Sequence, residues 1–299
     1  MDVVLLFMYF VSESLPIVFM MTIISLLLLA SLLPHLTFTA HVNVGIVNGT
    51  EAKPHSRPYM VSIQSNKKHV CGGFLISDEF VLTAAHCWNG SETLTVVVGA
   101  HDLTESKNSD RMGVKSYIPH PSYMDHFSWN DIMLLRLQEK VNVNNYVEWI
   151  SLPMNGEDVD ANTLCSVAGW GRLETNGSLS NRLMEAKVHI MNKTECYKRW
   201  GEKFSVTQMM CTRGHGGSCR FDSGGPLICG HTAVGVTAFG YKLLCNSPEK
   251  PNVYIKISPY ILWINSIIRN VNESSLIVFM MTIISLLLLA SLLPHLTFT

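Results

Sequence analysis

The chain has 299 residues, with 22 Lys+Arg against 23 Asp+Glu, 15% charged and 47% hydrophobic residues. That length is ample for a large core. The low charge, free of like-charge runs, excludes a disordered polyelectrolyte and argues against nucleic acid as a required partner. The mean hydropathy of +0.22 is high for a soluble protein, and the excess sits at the two ends. Residues 1–45 and 272–299 hold no Lys or Arg and only the acids Asp2, Glu13 and Glu273, so 46–271 carries 22 bases and 20 acids, a net of +2.

In chain order, residues 1–40 read as a leader: an apolar run from Ile17 to Leu33, then a weaker polar stretch ending near Thr39–Ala40, as in a secretory signal. No basic residue precedes the run and Met1–Ser14 adds a second apolar block, which points to Met20 or Met21 as alternative starts. A retained signal anchor is the weaker reading, because a run of about 17 residues is at the lower limit for spanning a bilayer. Ile17–Thr39 recurs unchanged as Ile277–Thr299. Fold repeats are drifted copies of a supersecondary unit, so this tail looks more like a duplicated leader exon or a gene-model artefact. Its apolar stretch 276–293 is just long enough for a membrane segment. A lipid-anchor signal is disfavoured, since no polar spacer precedes the stretch.

Between the ends the apolar runs are short and bounded by Gly, Asn, Pro and Ser. They are Tyr59–Gln64, Gly73–Ile76, Phe80–Thr83, Leu94–Gly99, Asp131–Leu137, Leu164–Trp170, Ala186–Ile190, Leu227–Cys229, Ala233–Phe239 and Val253–Ile257. Their spacing and their Val, Ile, Thr and aromatic content predict an all-β sandwich or barrel. Asn142–Val159 lacks a strand pattern and is expected to link two halves. Tyr260–Val271 alone has helical periodicity, with Ile261, Ile264, Ile267 and Ile268 on one face after Pro259. All eight cysteines (Cys71, Cys87, Cys165, Cys196, Cys211, Cys219, Cys229, Cys245) fall in this region. An even number downstream of a leader points to disulfides, with 105 connectivities open, and zinc binding is disfavoured because no paired C-x-x-C occurs. Sequons begin at Asn48, Asn89, Asn176, Asn192 and Asn272 and suit an exported glycoprotein.

Three residues stand out for chemistry. His86 follows an apolar run and precedes Cys87; Asp131 opens the apolar run Asp131-Ile132-Met133-Leu134-Leu135; Ser223 lies in Asp222-Ser223-Gly224-Gly225-Pro226. Singly each has a bland explanation, a structural histidine, a turn or helix cap and a tight turn. Together they supply what hydroxyl nucleophilicity requires. An imidazole can take the serine proton near neutral pH, and a buried carboxylate fixes its tautomer and stabilises the imidazolium.

With these residues the chain resembles the trypsin/chymotrypsin family of serine proteases, most of all the granzymes and mast-cell proteases of immune granules (duodenase- or chymase-like). The likeness runs from Ile46 to about Val271. It is carried by Ile46-Val47-Asn48-Gly49, Cys71-Gly72-Gly73, Thr83-Ala84-Ala85-His86-Cys87, Asp131-Ile132, Ala168-Gly169-Trp170-Gly171, Asp222-Ser223-Gly224-Gly225-Pro226 and Pro251-Asn252-Val253-Tyr254. The resemblance implies two six-stranded antiparallel β-barrels with a C-terminal helix. It places a His86, Asp131, Ser223 triad between the barrels, with Phe221 and Ser223 N–H groups forming the oxyanion hole. It also implies disulfides Cys71–Cys87, Cys165–Cys229, Cys196–Cys211 and Cys219–Cys245, and no metal or other cofactor.

Activation is expected by cleavage before Ile46, whose freed ammonium would pair with buried Asp222. Such a pair is costly unless complete. Gly45 precedes the junction, so tryptic activation is disfavoured. Leader removal after Thr39 would leave an even-length pro-segment (41–45 plus Ala40) for a dipeptide-removing peptidase. The domains expected are thus a leader at 1–40, a pro-segment at 41–45, the protease at 46–271 and the apolar tail at 272–299.

Departures from the family narrow the reading. Phe221 stands where relatives have glycine; its Cβ disfavours the backbone conformation needed, and its ring crowds the leaving-group side. The cost ranges from strain of about 1–3 kcal/mol to the loss of about 10²–10³ in rate that deleting one oxyanion donor brings. Ala238 replaces a serine that helps hold the triad aspartate, a loss of about 1 kcal/mol. The specificity pocket is assigned to Gly217, Ser218, Ala238, Gly240 and Asn252. Gly217 stands where tryptic enzymes keep an aspartate, so a Lys or Arg side chain would be buried unpaired. Gly240 leaves the entrance open, and the Asn252 amide suits a polar tip. Cleavage after large uncharged residues such as Phe, Tyr, Leu or Met is expected. The leading reading is a secreted or granule-stored serine endopeptidase acting on proteins or peptides, with an activating peptidase and serpin-type inhibitors as partners. The alternatives are a catalytically impaired protease-fold binding protein, on account of Phe221, and a protease tethered to membranes by 276–293.

Overall fold

The computed structural model describes Ser25, residues 46–105 and residues 109–296. The chain divides into units 1–42 and 43–299. The leader and pro-segment expectations lie outside the described residues, apart from helical Ser25.

Thirteen strands are present among the described residues. They are β1 Thr50–Glu51, β2 Met60–Ser65, β3 Lys68–Leu75, β4 Phe80–Thr83, β5 Leu94–Val98, β6 Asp110–Pro119 and β7 Met133–Leu137 in the first half. The second half adds β8 Leu164–Gly169, β9 Met184–Ile190, β10 Met209–Arg213, β11 Pro226–Cys229, β12 Thr232–Phe239 and β13 Val253–Lys256. Strands β2-β3-β4-β7-β6-β5 close one antiparallel barrel. The second sheet runs β9-β10-β13-β12-β11-β8 and closes through a β8–β9 pairing, with two-residue β1 added at its edge. Two closed six-stranded barrels are thus formed, and closure removes the sheet edges that would otherwise invite aggregation.

The alternation of the strands decides their faces. β9, Met184–Ile190, buries every second residue and leaves Lys187 and His189 outside, the period-2 signature of a half-buried strand. β4 is buried throughout and β2 at every residue but Ser65, because both barrel interior and neighbouring segments cover them. A main core runs through both halves and includes Phe74, Leu82, Leu134, Val236 and Ile255; a smaller one around Ile46, Val188, Leu227 and Tyr254 fills the second barrel. Four disulfides, Cys71–Cys87, Cys165–Cys229, Cys196–Cys211 and Cys219–Cys245, use all eight cysteines.

Several strands differ from the pattern reading at their ends, and β6, β10 and helix α1 (Lys193–Trp200) were not expected. In α1 only Cys196 is buried, so no apolar stripe announces it; its start is set by Asn192, whose side chain accepts the Thr194 N–H. The terminal helix α2 spans Ile261–Leu296 and continues through the expected boundary at 271/272. Ile261 and Ile264 are buried and Ile267, Ile268 and Val271 pack on the core. Beyond them Ile277, Met280, Met281, Ile284 and Leu286 are exposed. Among the described residues no helix is long and apolar enough to cross a membrane.

Candidate active site

His86 and Asp131 come from the first barrel. β4 runs into a one-turn helix, Ala85–Cys87, which is stapled to β3 by Cys71–Cys87. That turn has no side-chain cap of its own. Asp131 supplies what is missing: its Oδ1 accepts the His86 backbone N–H at 2.9 Å, and its Oδ2 lies 2.6 Å from His86 Nδ1. Asp131 is 1% exposed and the His86 side chain 32%. The chain next to Asp131 is anchored at Asn130, whose Oδ1 accepts from Gln208 Nε2 at 2.8 Å and from the Tyr260 hydroxyl at 2.9 Å. Burial draws the His86 pKa down, but the Asp131 charge and hydrogen bond outweigh it, and the net shift is upward. The carboxylate therefore favours an Nδ1–H imidazole that leaves Nε2 free for proton transfer. The Asp131 carboxylate is met by a backbone N–H, so Ala238 in place of a serine leaves it with a partner.

Ser223 belongs to a tight turn ahead of β11 in the second barrel. Gly72 N–H donates to the Ser223 carbonyl at 2.8 Å, Gly225 N–H to Asp222 O at 3.0 Å and Gly224 N–H to Thr237 O at 2.8 Å. Gly224 has φ +81°, and a Cβ there would lie 2.1 Å from Thr83 Oγ1; only glycine fits where the barrels meet. His86, Ser223, Ala238, Gly240 and Asn252 line one cleft of about 420 Å3. Among the described residues His86 and Ser223 share this cleft without a direct hydrogen bond, and neither Phe221 N–H nor Ser223 N–H donates to a protein acceptor.

Phe221 adopts φ +76°, the left-handed region that glycine tolerates and phenylalanine resists. Its carbonyl accepts from His69 Nε2 at 3.0 Å, and His69 Nδ1 lies 2.8 Å from Ser62 Oγ. Burial lowers the His69 pKa to about 4, although the Phe221 carbonyl pulls the other way. Near neutral pH the ring is therefore neutral, its one proton sits on Nε2 facing that carbonyl, and Nδ1 accepts from the Ser62 hydroxyl.

Asp222 is 1% exposed. In the continuous chain the Ile46 nitrogen is an amide, and Asp222 is met by backbone N–H groups, Gly171 on Oδ1 at 2.8 Å and Cys219 on Oδ2 at 2.9 Å. Among the described residues no cation reaches it. Burial pushes its pKa up to about 7, against those two N–H groups. A Cβ on Gly169 or Gly171 would strike this carboxylate, 2.1 and 2.5 Å away respectively. Ile46 is fully buried in the second core at φ +29°, and Val47 bridges to Gly217.

At the pocket floor the Asn252 amide is wedged between two glycines. A Cβ on Gly217 would lie 2.8 Å from Asn252 Nδ2, and one on Gly240 2.5 Å from Asn252 Oδ1. Asn252 Nδ2 donates to Ser218 O at 2.8 Å, while Ser218 Oγ lies 3.0 Å from the Tyr254 hydroxyl. The amide is thereby oriented with its oxygen on the Gly240 side. Pairing of β12 with β13 shifts register between Thr237 and Phe239, and the irregularity at Ala238 bends the cleft wall. The cleft lining carries two cationic side chains, Arg220 and Lys242, and no carboxylate among the described residues.

The one close grouping of potential metal ligands among the described residues is Cys71, His86 and Cys87. Its sulfurs are bonded to each other, and a disulfide offers no thiolate. Sequence reasoning passed over His69 and Arg172, which touch Phe221. Both sit beside motifs that were singled out, His69 two residues before Cys71-Gly72-Gly73 and Arg172 directly after Gly169-Trp170-Gly171. A histidine inside an otherwise apolar strand was the available signal.

A family model described as Trypsin matches residues 46–264. Mast cell protease 3 of Ovis aries and duodenase-1 of Bos taurus are each 40% identical over 230 residues, covering 75% of this chain and 89% of theirs. Granzyme B(G,H) of Mus musculus is 37% identical over 232 residues, covering 75% and 92%. Among solved structures, neuropsin, a serine protease expressed in the limbic system of mouse brain, superposes with a TM-score of 0.69 at 33% identity, covering 75% of this chain and all of its own.

Proposed function

The chain belongs to the trypsin family of serine proteases, hydrolases that act on proteins or peptides, and from that premise we propose that it is a secreted or granule-stored serine endopeptidase made as a zymogen. The observation that carries this reading is the 2.6 Å contact of His86 Nδ1 with buried Asp131, in a cleft that Ser223 also lines. His86 Nε2 takes the proton of Ser223 Oγ as the oxygen attacks the peptide carbonyl. Asp131 stabilises the imidazolium so formed, and the imidazolium then protonates the leaving amine; water reverses these steps on the acyl-enzyme. The free N–H groups of Phe221 and Ser223 receive the oxyanion.

Activation is assigned to cleavage before Ile46. In favour are the buried Ile46 side chain and Asp222, an acid that burial holds near neutrality until a cation arrives. The freed ammonium would lower that pKa and lock the 219–223 turn. The leader 1–40 and pro-segment 41–45 are lost on this scheme, 46–271 is the protease, and 272–299 is a tail dispensable for it. A membrane role for 276–293 would be tested by carbonate extraction. Exposed sequons at Asn48, Asn89, Asn176 and Asn192 are suited to glycans. A dipeptide-removing peptidase as activator and serpin-type inhibitors as partners complete the proposal.

For specificity, Gly217, Gly240 and the Asn252 amide favour a large uncharged side chain. Arg220 and Lys242 among the lining residues add repulsion against Lys and Arg. A peptide-library profile of protein starting at Ile46 checks this; cleavage after Lys or Arg would overturn it.

A catalytically impaired binding protein is the second reading, favoured by the strained Phe221. Labelling by a serine-directed fluorophosphonate, lost in Ser223→Ala, decides between them. An unlabelled, correctly processed protein would favour the binding protein.

A further inference from the structure

We propose that Arg172 is a positioning residue for the reaction, holding the Phe221 ring so that the Phe221 amide stays aimed at the reacting carbonyl. The inference rests on the protease reading above.

A phenylalanine at φ +76° persists only where its surroundings over-determine it. Two groups do so here. The Phe221 carbonyl is tied by His69 Nε2 at 3.0 Å, backed by Ser62 and by Gln64, whose Nε2 donates to Ser62 Oγ at 3.1 Å. This tie acts on the carbonyl and is indifferent to the side chain. The ring is held separately, with the Arg172 guanidinium carbon 5.6 Å from its centroid, within the range of a cation–π contact.

Arg172 is itself fixed at several points. Its backbone N–H donates to Arg220 O at 2.9 Å, one residue from Phe221. Its Nη1 donates to the Gly177 carbonyl. The hairpin carrying it is closed by an Arg172–Leu179 bridge and by Leu173 N–H to Ser178 O at 3.0 Å. Its Nε is buried and has no hydrogen-bond partner, and among the described residues no carboxylate pairs with the guanidinium. A buried, unpaired guanidinium N–H is unfavourable, and rotation into solvent would relieve it. The Gly177 carbonyl takes only Nη1, and the group that the rest of the guanidinium lies over is the Phe221 ring. The contact exists only because residue 221 carries a side chain, so Arg172 has this task in the phenylalanine protein and none in a glycine one.

The test uses protein starting at Ile46, with active sites counted by fluorophosphonate titration so that misfolded molecules do not enter the rate. The substrate is a small activated ester with nothing beyond the leaving alcohol for Arg172 to touch. Arg172→Ala is expected to lower kcat about threefold to tenfold with KM unchanged within about twofold. Arg172→Lys, which keeps a cation, should restore most of kcat. In a Phe221→Gly background the same Arg172→Ala change should alter kcat by less than about 1.5-fold. An equal loss in the glycine background, a loss confined to KM, or no loss overturns the inference while leaving the protease reading intact. Should Arg172→Ala not fold, Arg172→Gln carries the same comparison. Failure of wild-type protein to label at Ser223 overturns the protease reading, and this inference with it.

Discussion

Phe221 pays for its left-handed backbone with about 1–2 kcal/mol of strain. Phe221→Gly should therefore gain stability, by about 1 kcal/mol once the extra freedom of the unfolded glycine chain is counted, seen as a higher urea midpoint at unchanged slope. Turnover of a small ester should rise with it, and an unchanged kcat would show that the ring and its strain are irrelevant to catalysis. Two buried neighbours give the uncleaved chain an unusual pH response. Asp222, pushed up to about 7 by burial against its two N–H donors, keeps a proton in the folded state that the unfolded chain sheds near pH 4, so its contribution to stability falls as pH rises from about 4 to about 7. His69, lowered to about 4 by burial against the Phe221 carbonyl, lacks a proton that the unfolded chain holds up to about 6.5, so its contribution rises with pH over about 4 to 6.5. Each slope is at most about 1.4 kcal/mol per pH unit, and they oppose one another. Denaturation of uncleaved Ser223→Ala protein between pH 4.5 and 6 should be nearly flat. Adding Asp222→Asn should expose a rise with pH and adding His69→Gln a fall; three parallel profiles would contradict this.

At the scale of elements, the disulfides divide between holding the fold and holding the site. Cys165–Cys229 ties β8 to β11 across 64 residues, and replacing both cysteines by serine should cost about 4 kcal/mol by loop closure, read as a fall in Tm. Cys71–Cys87 spans 16 residues and braces the turn that carries His86, so its removal should depress kcat out of proportion to Tm. Helix α1 depends on its cap, and Asn192→Ala should cost about 1 kcal/mol. A glycan at Asn192 would attach through Nδ2 and leave the capping Oδ1 free. The pattern of the chain revealed the strands with continuous or alternating apolar residues, β4 and β8 among them. It did not reveal β6, whose ten residues are mostly half-buried or exposed, nor β10, five residues long in Met209-Met210-Cys211-Thr212-Arg213. Both are held by barrel partners on two sides, a stabilisation no local window contains. For α1 the spacing of Asn192 and Glu195, typical of a helix start, was the signal left unused.

For the whole molecule, Val271 is the last residue of α2 that packs on the core among the described residues, and Ile277, Met280, Met281, Ile284 and Leu286 beyond it are exposed. A chain ending at Val271 should keep its Tm and esterase activity and elute as a sharper monomer on gel filtration, since an exposed apolar helix face that includes Ile277, Met281 and Ile284 is removed. A marked fall in Tm would show that the tail supports the domain. From the amino-acid order alone came the candidate residues His86, Asp131 and Ser223, and with them the family and through it the two barrels and the disulfide partners, because these rest on residue types at fixed places in ordered motifs. Tertiary structure alone decided that Phe221 keeps a glycine's dihedral angle between His69 and Arg172, that Asp222 lies buried with two N–H donors and, among the described residues, no cation, and that Asn252 spans the gap between Gly217 and Gly240. These are balances of strain, burial and hydrogen bonding among groups as far apart as residues 69 and 221. Only folding sets their distances, and distance decides which balance wins.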